Sequence, residues 1–510
     1  MTANRVYLTV GLCAVIAYLG ALGNAFAWDD THIIVGNALV HAPSGMWRAF
    51  ANPYWPPDWG GYLYRPLVIA SYALDWAIDG ARWFHAVNLF WHAAASVLVA
   101  RLAWRWSGPS AALVAGVLFA VHPVHVEAVA NVVGRAELMA ACFSMLAVWV
   151  ALERDRPVWS TALCLVGLLC KENAAVVPAL IVTGWALGLA RPSRHRVLLY
   201  LLCWAVAGAA YAAVRESVLQ PYAAFREAAP VFVGHGPLAV RLTAVAALAD
   251  VTRLLVFPLT LRVDYSPAER TIVSSLFDWR FAVGMMCLVG WALLLAVAWR
   301  RGRKIEALGL AWVALAYAPV ANLIFPAGVL MAERTLYLPS VGFALAIGAW
   351  ARQLEGRRLW VLLGALAVLG GGWSAHRVPV WRNDRRVILS ILDDSPRSYA
   401  GPMAVGAIYL TSRQPEKALA AFDSAAAIFP IEGRPYLLGG HAALMLKRYA
   451  LADSLFAHVD ALCNPCGGLY RTEAGAALQM GDTAVADSLL AHARRLTAPA
   501  VRAGVSSNRK

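Results

Sequence analysis

Residues 281–299 read FAVGMMCLVGWALLLAVAW, an uninterrupted uncharged run that ends against Arg300, Arg301, Arg303 and Lys304. About 20 apolar residues wound as a helix cross the roughly 30 Å hydrocarbon core of a bilayer. A helix also satisfies its own backbone hydrogen bonds there, which lipid cannot do for it. Working outward from this run, comparable stretches fall at 6–28, 84–104, 109–122, 136–152, 157–170, 173–189, 197–215, 305–325, 337–351 and 358–376. The composition agrees: the 510 residues are 60% hydrophobic and 15% charged, with mean hydropathy +0.58. A soluble domain carries about 25% charged residues. The expected fold class is therefore all-α: a polytopic membrane helix bundle of about 11 transmembrane helices over 1–378, a connecting segment over 379–398, and a soluble helical domain over 399–510.

The net charge of +14 belongs to the loops. Arg101 and Arg105, Arg154 and Arg156, Arg191, Arg194 and Arg196, then Arg300 to Lys304, then Arg352, Arg357 and Arg358 lie between apolar runs. The positive-inside rule makes that side cytoplasmic, and nucleic acid is set aside as a partner. The run at 6–28 is too long for a signal-peptide core and has no small-residue cleavage site, so it reads as the first span. Alternation holds if 216–280 begins and ends outside, which puts the N-terminus inside and the C-terminus outside. The segment 241–261, with Arg241, Asp250 and Arg253, is then interfacial or re-entrant. Six cysteines lie in apolar runs and read as small hydrophobes. Cys463 and Cys466 form a CxxC in the tail with no thioredoxin-like context, which favours a local disulfide or two free thiols over a redox pair.

The tail repeats with a period of 34. Ala418, Ala452 and Ala486 share one register. So do Phe422, Phe456 and Leu490, then Leu410, Leu444 and Leu478, then Gly406, Gly440 and Ala474, with Pro430 closing the first unit. This is the pattern of three tetratricopeptide repeats, an α-solenoid. Such arrays hold peptides or partner proteins on a concave face; a plain helical spacer is the bland alternative.

Ionisable groups that persist at a membrane are functional candidates, and the prominent ones fall on the expected outer face. Asp29 and Asp30 directly follow the first span; paired carboxylates suit general-base and orienting work, although a solvated loop also reads this way. His122, His125 and Glu127 close the third span, followed by Arg135 and Glu137. They could hold a metal or line a polar cavity, and without a third strong ligand the cavity reading is preferred. Lys171 and Glu172 interrupt two apolar runs. Glu333 and Arg334 precede Tyr337, and arginine suits bidentate phosphate binding. Arg65 and Arg215 serve as weaker cations or interfacial anchors. Carboxylates for a base, cations for an anionic head group and a membrane for a tail suit group transfer from a lipid phosphate.

The sequence at this point resembles a known family. Tyr64-Arg65-Pro66-Leu67, then Phe84-His85-Ala86-Val87-Asn88-Leu89 with His92, HPVHVEAVANVVGRAEL (122–138), CKENAAVVP (170–178), VDYS (263–266) and AERTLYLPSVGF (332–343) are similar to the transmembrane and tetratricopeptide repeat (TMTC-type) O-mannosyltransferases. That resemblance covers nearly the whole chain and implies a GT-C class glycosyltransferase. It implies a polyprenyl-phosphate-linked sugar donor, mannose in the family, and transfer to Ser or Thr hydroxyls on the lumenal or periplasmic face. It matches Asp29 and Asp30 to the family's acidic pair, one of them the base, and Glu127 to the acidic residue of the second outer loop. Lys171, Glu172, Glu333 and Arg334 match its other polar motifs; Arg65, His122, His125, Arg135, Glu137 and Tyr337 complete the expected donor and phosphate site. No cofactor is assigned, and a divalent cation held by the Asp pair and His125 stays open. Three repeats, where the family has more, open a protein or glycan acceptor; a lipid acceptor, a lipid or sugar transporter and a non-enzymatic scaffold are the competing readings. The absence of an N-x-Ser/Thr sequon leans towards a bacterial inner membrane with a periplasmic site, or the endoplasmic reticulum membrane and lumen in a eukaryote.

Overall fold

A computed structural model describes residues 2–56, 62–225, 229–265, 267–462 and 467–497. Cys463, Cys466 and Ser266 of the VDYS motif lie outside the described residues. Every regular element among the described residues is helical. The chain divides into two compact units, Met1–Ser395 and Pro396–Lys510.

In the first unit α1 is Ala3–Tyr18, α2 Pro66–Trp76, α3 Ala81–Ser107, α4 Pro109–Ala120, α5 Arg135–Arg154 and α6 Pro157–Cys170. They are followed by α7 Val177–Ala186, α8 Arg194–Leu219, α9 Pro237–Val256, α10 Trp279–Arg300, α11 Lys304–Tyr317, α12 Tyr337–Trp350, α13 Gly356–Ala365 and α14 Asp384–Asp394. Each expected span falls on helix. Among the described residues, six segments are long and apolar enough to cross a membrane: Ala3–Gly23, Ala81–Ser107, Val132–Arg154, Arg194–Tyr222, Trp279–Arg300 and Gly356–Arg382. A seventh arises if Pro109–Ala120 and Pro123–Ala130, bent by 47°, count as one span. The other expected spans fall on α6, α7, α11 and α12, of 14, 10, 14 and 14 residues. At 1.5 Å per residue these reach about 15–21 Å. Three of them adjoin a 3₁₀ turn: Glu172–Val176 leads into α7, Ala318–Val320 follows α11 and Glu333–Leu336 leads into α12.

Most of the segment 241–261 falls on α9, which packs against α10. A Cβ on Gly284 would lie 2.1 Å from the Val245 carbonyl oxygen. Seven residues on, Trp291 Nε1 donates to Thr252 Oγ1 at 3.0 Å. The two contacts share one offset, so α9 and α10 run parallel. Consecutive parallel helices require the chain to double back between them. The return segment does so: Val273 N donates to Thr243 Oγ1 at 2.8 Å, level with the first half of α9. The chain thus folds back alongside α9 before α10 begins, and the backbone groups freed at such a turn need partners within the protein. Arg253 Nη1 donates to the Thr260 carbonyl at 3.0 Å and His122 Nε2 to the Leu255 carbonyl at 3.0 Å, which serves that need near the tip.

The arginine belt gathers at one end of the bundle. The guanidinium carbons of Arg101 and Arg154 sit 4.8 and 5.3 Å from the Trp149 ring centroid, and Arg105 Nε donates to Glu153 at 2.8 Å. Helix α5 runs from Arg135 to Arg154, so about 28 Å of helix separates this belt from the acidic and basic residues at its start. The connecting segment expected over 379–398 belongs to the first unit as far as Ser395; Trp381, Val387 and Ile391 are buried in its main core.

The second unit holds three helical hairpins: α15 Ala400–Thr411 with α16 Pro415–Ile428, α17 Gly433–Met445 with α18 Tyr449–Leu462, and α19 Gly467–Gln479 with α20 Thr483–Thr497. The 34-residue register is a packing register. Ala418, Ala452 and Ala486 are each 0% exposed. A Cβ on Gly406 would meet the Phe422 ring at 2.4 Å, and one on Gly440 the Phe456 ring at 2.2 Å. The third hairpin has Ala474 and Leu490 in those places, within one core cluster; a smaller partner admits the extra methyl. Gly440→Ala is therefore expected to destabilise the tail by about 1–3 kcal/mol. Limited proteolysis of the full chain reads this as faster cutting within 396–497, and Gly440→Ala with Phe456→Leu recovers part of the loss.

Candidate active site

The start of α5 is built by a tight turn. Val126–Ala130 is a short helix, Val132–Gly134 a 3₁₀ turn, and a Cβ on Gly134 would meet the Ala128 carbonyl oxygen at 2.1 Å. Only glycine fits there.

Arg334 joins three of the expected residues. Its Nη1 donates to Glu127 Oε1 at 2.8 Å and its backbone N–H to Glu127 Oε2 at 2.8 Å. The same Nη1 lies 3.6 Å from Asp29 Oδ2, whose side chain is 20% exposed while that of Glu127 is 4% exposed. Burial works against the guanidinium charge, but Glu127 and Asp29 outweigh it and hold Arg334 above the ordinary arginine range. Two further pairs lie within electrostatic reach. Lys171 Nζ pairs with Glu137, whose other oxygen accepts from Asn173 Nδ2 at 3.0 Å. Arg65 Nη2 pairs with Glu172 at 3.1 Å beneath the Tyr54 ring. The Lys171 ammonium feels Glu137, Arg65 and Arg334 together. Asp29, Glu127, Glu137, Glu172, Arg65, Lys171 and Arg334 thus form one alternating charge network.

The adjacent aspartates differ sharply. Asp30 is 0% exposed. Its Oδ2 accepts from Ala27 N at 3.2 Å and Val132 N at 3.3 Å, and its Oδ1 from Val133 N at 2.8 Å. It caps the turn that starts α5, from a distant part of the chain. Burial pushes its carboxyl up to about 7 despite these donors. Asp29 is left as the accessible member of the pair.

The rest of the expected site is turned inward. Glu333 accepts from Arg262 N at 2.6 Å and from the Tyr265 hydroxyl at 2.8 Å; burial, helped by nearby Glu127, pushes it up to about 8. It thereby ties the return segment to the residue beside Arg334. His122 holds Leu255 and accepts from Val124 N at 3.3 Å. Tyr337 pairs with His92 Nδ1 at 2.8 Å, and His125 Nε2 with Ser340 Oγ at 2.7 Å. Arg135 is fully buried and paired with Asp75, Asn88, Ser71 and the Phe84 carbonyl. Among the described residues no group of three His, Cys, Asp or Glu side chains is arranged to hold a metal. Residues the sequence reading passed over are Asp75, Arg262 and Asp384; Asn173 and Tyr265 stood in quoted motifs without a role of their own. Asp75 carried a usable signal, an aspartate at the end of the apolar stretch PLVIASYALDW.

No protein-family model matches the chain. Curated relatives do. It is 25% identical to protein O-mannosyl-transferase TMTC3 of Mus musculus over 89% of this chain and 55% of that protein. It is 27% identical to protein O-mannosyl-transferase TMTC4 of Homo sapiens over 76% of this chain and 62% of that protein. A 182-residue stretch is 40% identical to protein O-mannosyl-transferase Tmtc2 of Drosophila melanogaster, covering 32% of this chain and 19% of that protein. The chain spans somewhat over half the length of the first two relatives. Across most of its length, this integral membrane chain is similar to proteins named TMTC-type protein O-mannosyl-transferases.

Proposed function

We propose that this chain is a GT-C-type glycosyltransferase that moves mannose from a polyprenyl-phosphate donor to a Ser or Thr hydroxyl of a protein. The observation that carries it is the shared Arg334: an accessible Asp29 and a buried Glu127 meet one guanidinium at 3.6 and 2.8 Å. In this reading the Asp29 carboxylate takes the proton of the acceptor hydroxyl. The hydroxyl oxygen attacks the anomeric carbon of the donor, and the bond from that carbon to the phosphate oxygen breaks. The phosphate leaves on its lipid with the electron pair, its charge met by Lys171, Arg65 and Arg334. These cations are held ready by their own carboxylates, so little reorganisation is needed at the moment of transfer. Glu127 fixes Arg334 through both oxygens. Residues 1–378 form the catalytic membrane domain, of about eleven spans, facing the periplasm or lumen. The hairpins over 399–510 are three tetratricopeptide repeats that hold the acceptor. The names of the relatives support mannose and a protein acceptor.

The test is transfer by purified protein in detergent, with polyprenyl-phosphate mannose labelled in the sugar and an extract of membranes and extracytoplasmic proteins as acceptor. Label entering protein, and at least tenfold less of it with Arg334→Ala, is the expected result. Label entering lipid or glycan keeps the chemistry and overturns the acceptor. No transfer from any polyprenyl-linked sugar, with movement of labelled donor across vesicles instead, overturns the enzyme reading in favour of a transporter.

A further inference from the structure

The residue before Asp29 is strained. Trp28 has φ +57°, the left-handed region that suits glycine and costs a bulky side chain on the order of 1–2 kcal/mol. Such strain persists only where its surroundings over-determine it. Here they do. Trp28 N donates to Asp384 Oδ1 at 2.6 Å. On the other side of the peptide, the Trp28 carbonyl accepts from Thr31 Oγ1 at 2.7 Å and Thr31 N at 3.1 Å. Two neighbouring ties come from the same distant segment: Ala25 N donates to the Arg382 carbonyl at 2.9 Å, and Asn24 Nδ2 to the Val378 carbonyl at 3.4 Å. Asp384 opens α14, whose last residue, Asp394, stands two positions before the second unit begins.

A strained peptide is a sensitive aiming device. The φ of Trp28 and the direction of the next side chain are coupled through a few bonds, so relaxation to an ordinary φ swings Asp29 off Arg334. We propose that Asp384 is a positioning residue: by accepting the Trp28 N–H it holds the backbone turn that aims Asp29 at the acceptor hydroxyl. This rests on Asp29 as the base. In this reading Asp384 acts through the main chain, where its Oδ1 accepts from Trp28 N. Displacement of a reacting group by about 1 Å costs on the order of 10²-fold in rate.

Two readouts test it, one independent of transfer. In an Asp29→Cys protein, the rate at which the introduced thiol reacts with a charged methanethiosulfonate is measured after subtracting the parent's native cysteines. Adding Asp384→Ala is expected to change that rate at least tenfold; Asp384→Asn, which keeps the acceptor oxygen, changes it less than threefold. In the Asp29 protein, Asp384→Ala is expected to lower kcat about 10–100-fold with donor KM within twofold, while Asp384→Asn keeps at least a third of the parent kcat. The proposal is overturned if Asp384→Ala leaves labelling unchanged, if it raises KM with kcat intact, or if Asp384→Asn fails to restore both readouts. If the parent transfers no sugar, the labelling arm still decides the positioning role, and only the enzyme reading fails.

Discussion

Asp29→Asn is expected to abolish transfer, by about 10²–10⁴-fold, with insertion and thermal stability unchanged. Asp29 is partly exposed and its ion-pair partner Arg334 keeps two bonds to Glu127, so the amide does not leave Arg334 without a counter-charge. Asp30→Asn has a different signature. An amide offers one oxygen where the carboxyl of Asp30 offers two, and its NH₂ would confront the N–H of Val133 or those of Ala27 and Val132. The cost falls on folding. Its pH dependence follows from a carboxyl raised from 3.8 to about 7 by burial. Between those values the native state binds the proton that the unfolded state has released. Stability from this group therefore falls as pH rises from about 4 to 7, and levels off above. Thermal melts of the parent across that range should show the slope, and Asp30→Asn should reduce it, leaving the part contributed by other buried carboxyls such as Glu333. Equal losses of transfer in both variants, at equal stability, would sink the division of labour.

The membrane helices were legible because lipid leaves a crude signal: long uncharged runs with arginines between them. The period of 34 was legible for a related reason, since Gly440 and Phe456 must be small and large together. Asp29, Glu127 and Arg334 were also named from sequence, as charged residues at the ends of apolar runs. What could not be read is partnership. Arg135 and Glu137 stand two apart in one motif, yet one is buried against Asp75 and the other faces Lys171. Lys171 and Glu172 are neighbours in sequence, yet each takes a distant partner, Glu137 and Arg65. The Asp384 contact crosses 356 residues of sequence, and no composition or period announces it. The return of the chain along α9 was not visible: Arg241, Asp250 and Arg253 marked the segment as unusual without showing where the chain goes next. The parallel course of α9 and α10 needed the Trp291–Thr252 contact.

Asp75→Asn should be the most destabilising single change in the first unit, by about 3–5 kcal/mol, the range for stranding one member of a buried ion pair. Arg135 is 0% exposed and Asp75 4%. The guanidinium also uses Asn88 Oδ1 at 2.9 Å, Ser71 Oγ at 3.2 Å and the Phe84 carbonyl at 3.0 Å, and faces the rings of Tyr72 and Phe84. Those partners are neutral, so only Asp75 balances the charge. The two ends are not equivalent. A guanidinium cannot shed its proton in a protein, so Asp75→Asn leaves a full buried charge. Arg135→Met leaves a carboxyl that burial already pushes upward and that can take up a proton. Asp75→Asn is therefore expected to lower the melting temperature in detergent more than Arg135→Met does. The gap should widen as pH falls, because the stranded carboxyl is neutralised and the stranded guanidinium is not. The double variant should recover part of the Asp75→Asn loss, since it removes the unbalanced cation. A double variant less stable than Asp75→Asn alone would mean that Arg135 serves its neutral partners more than it serves Asp75.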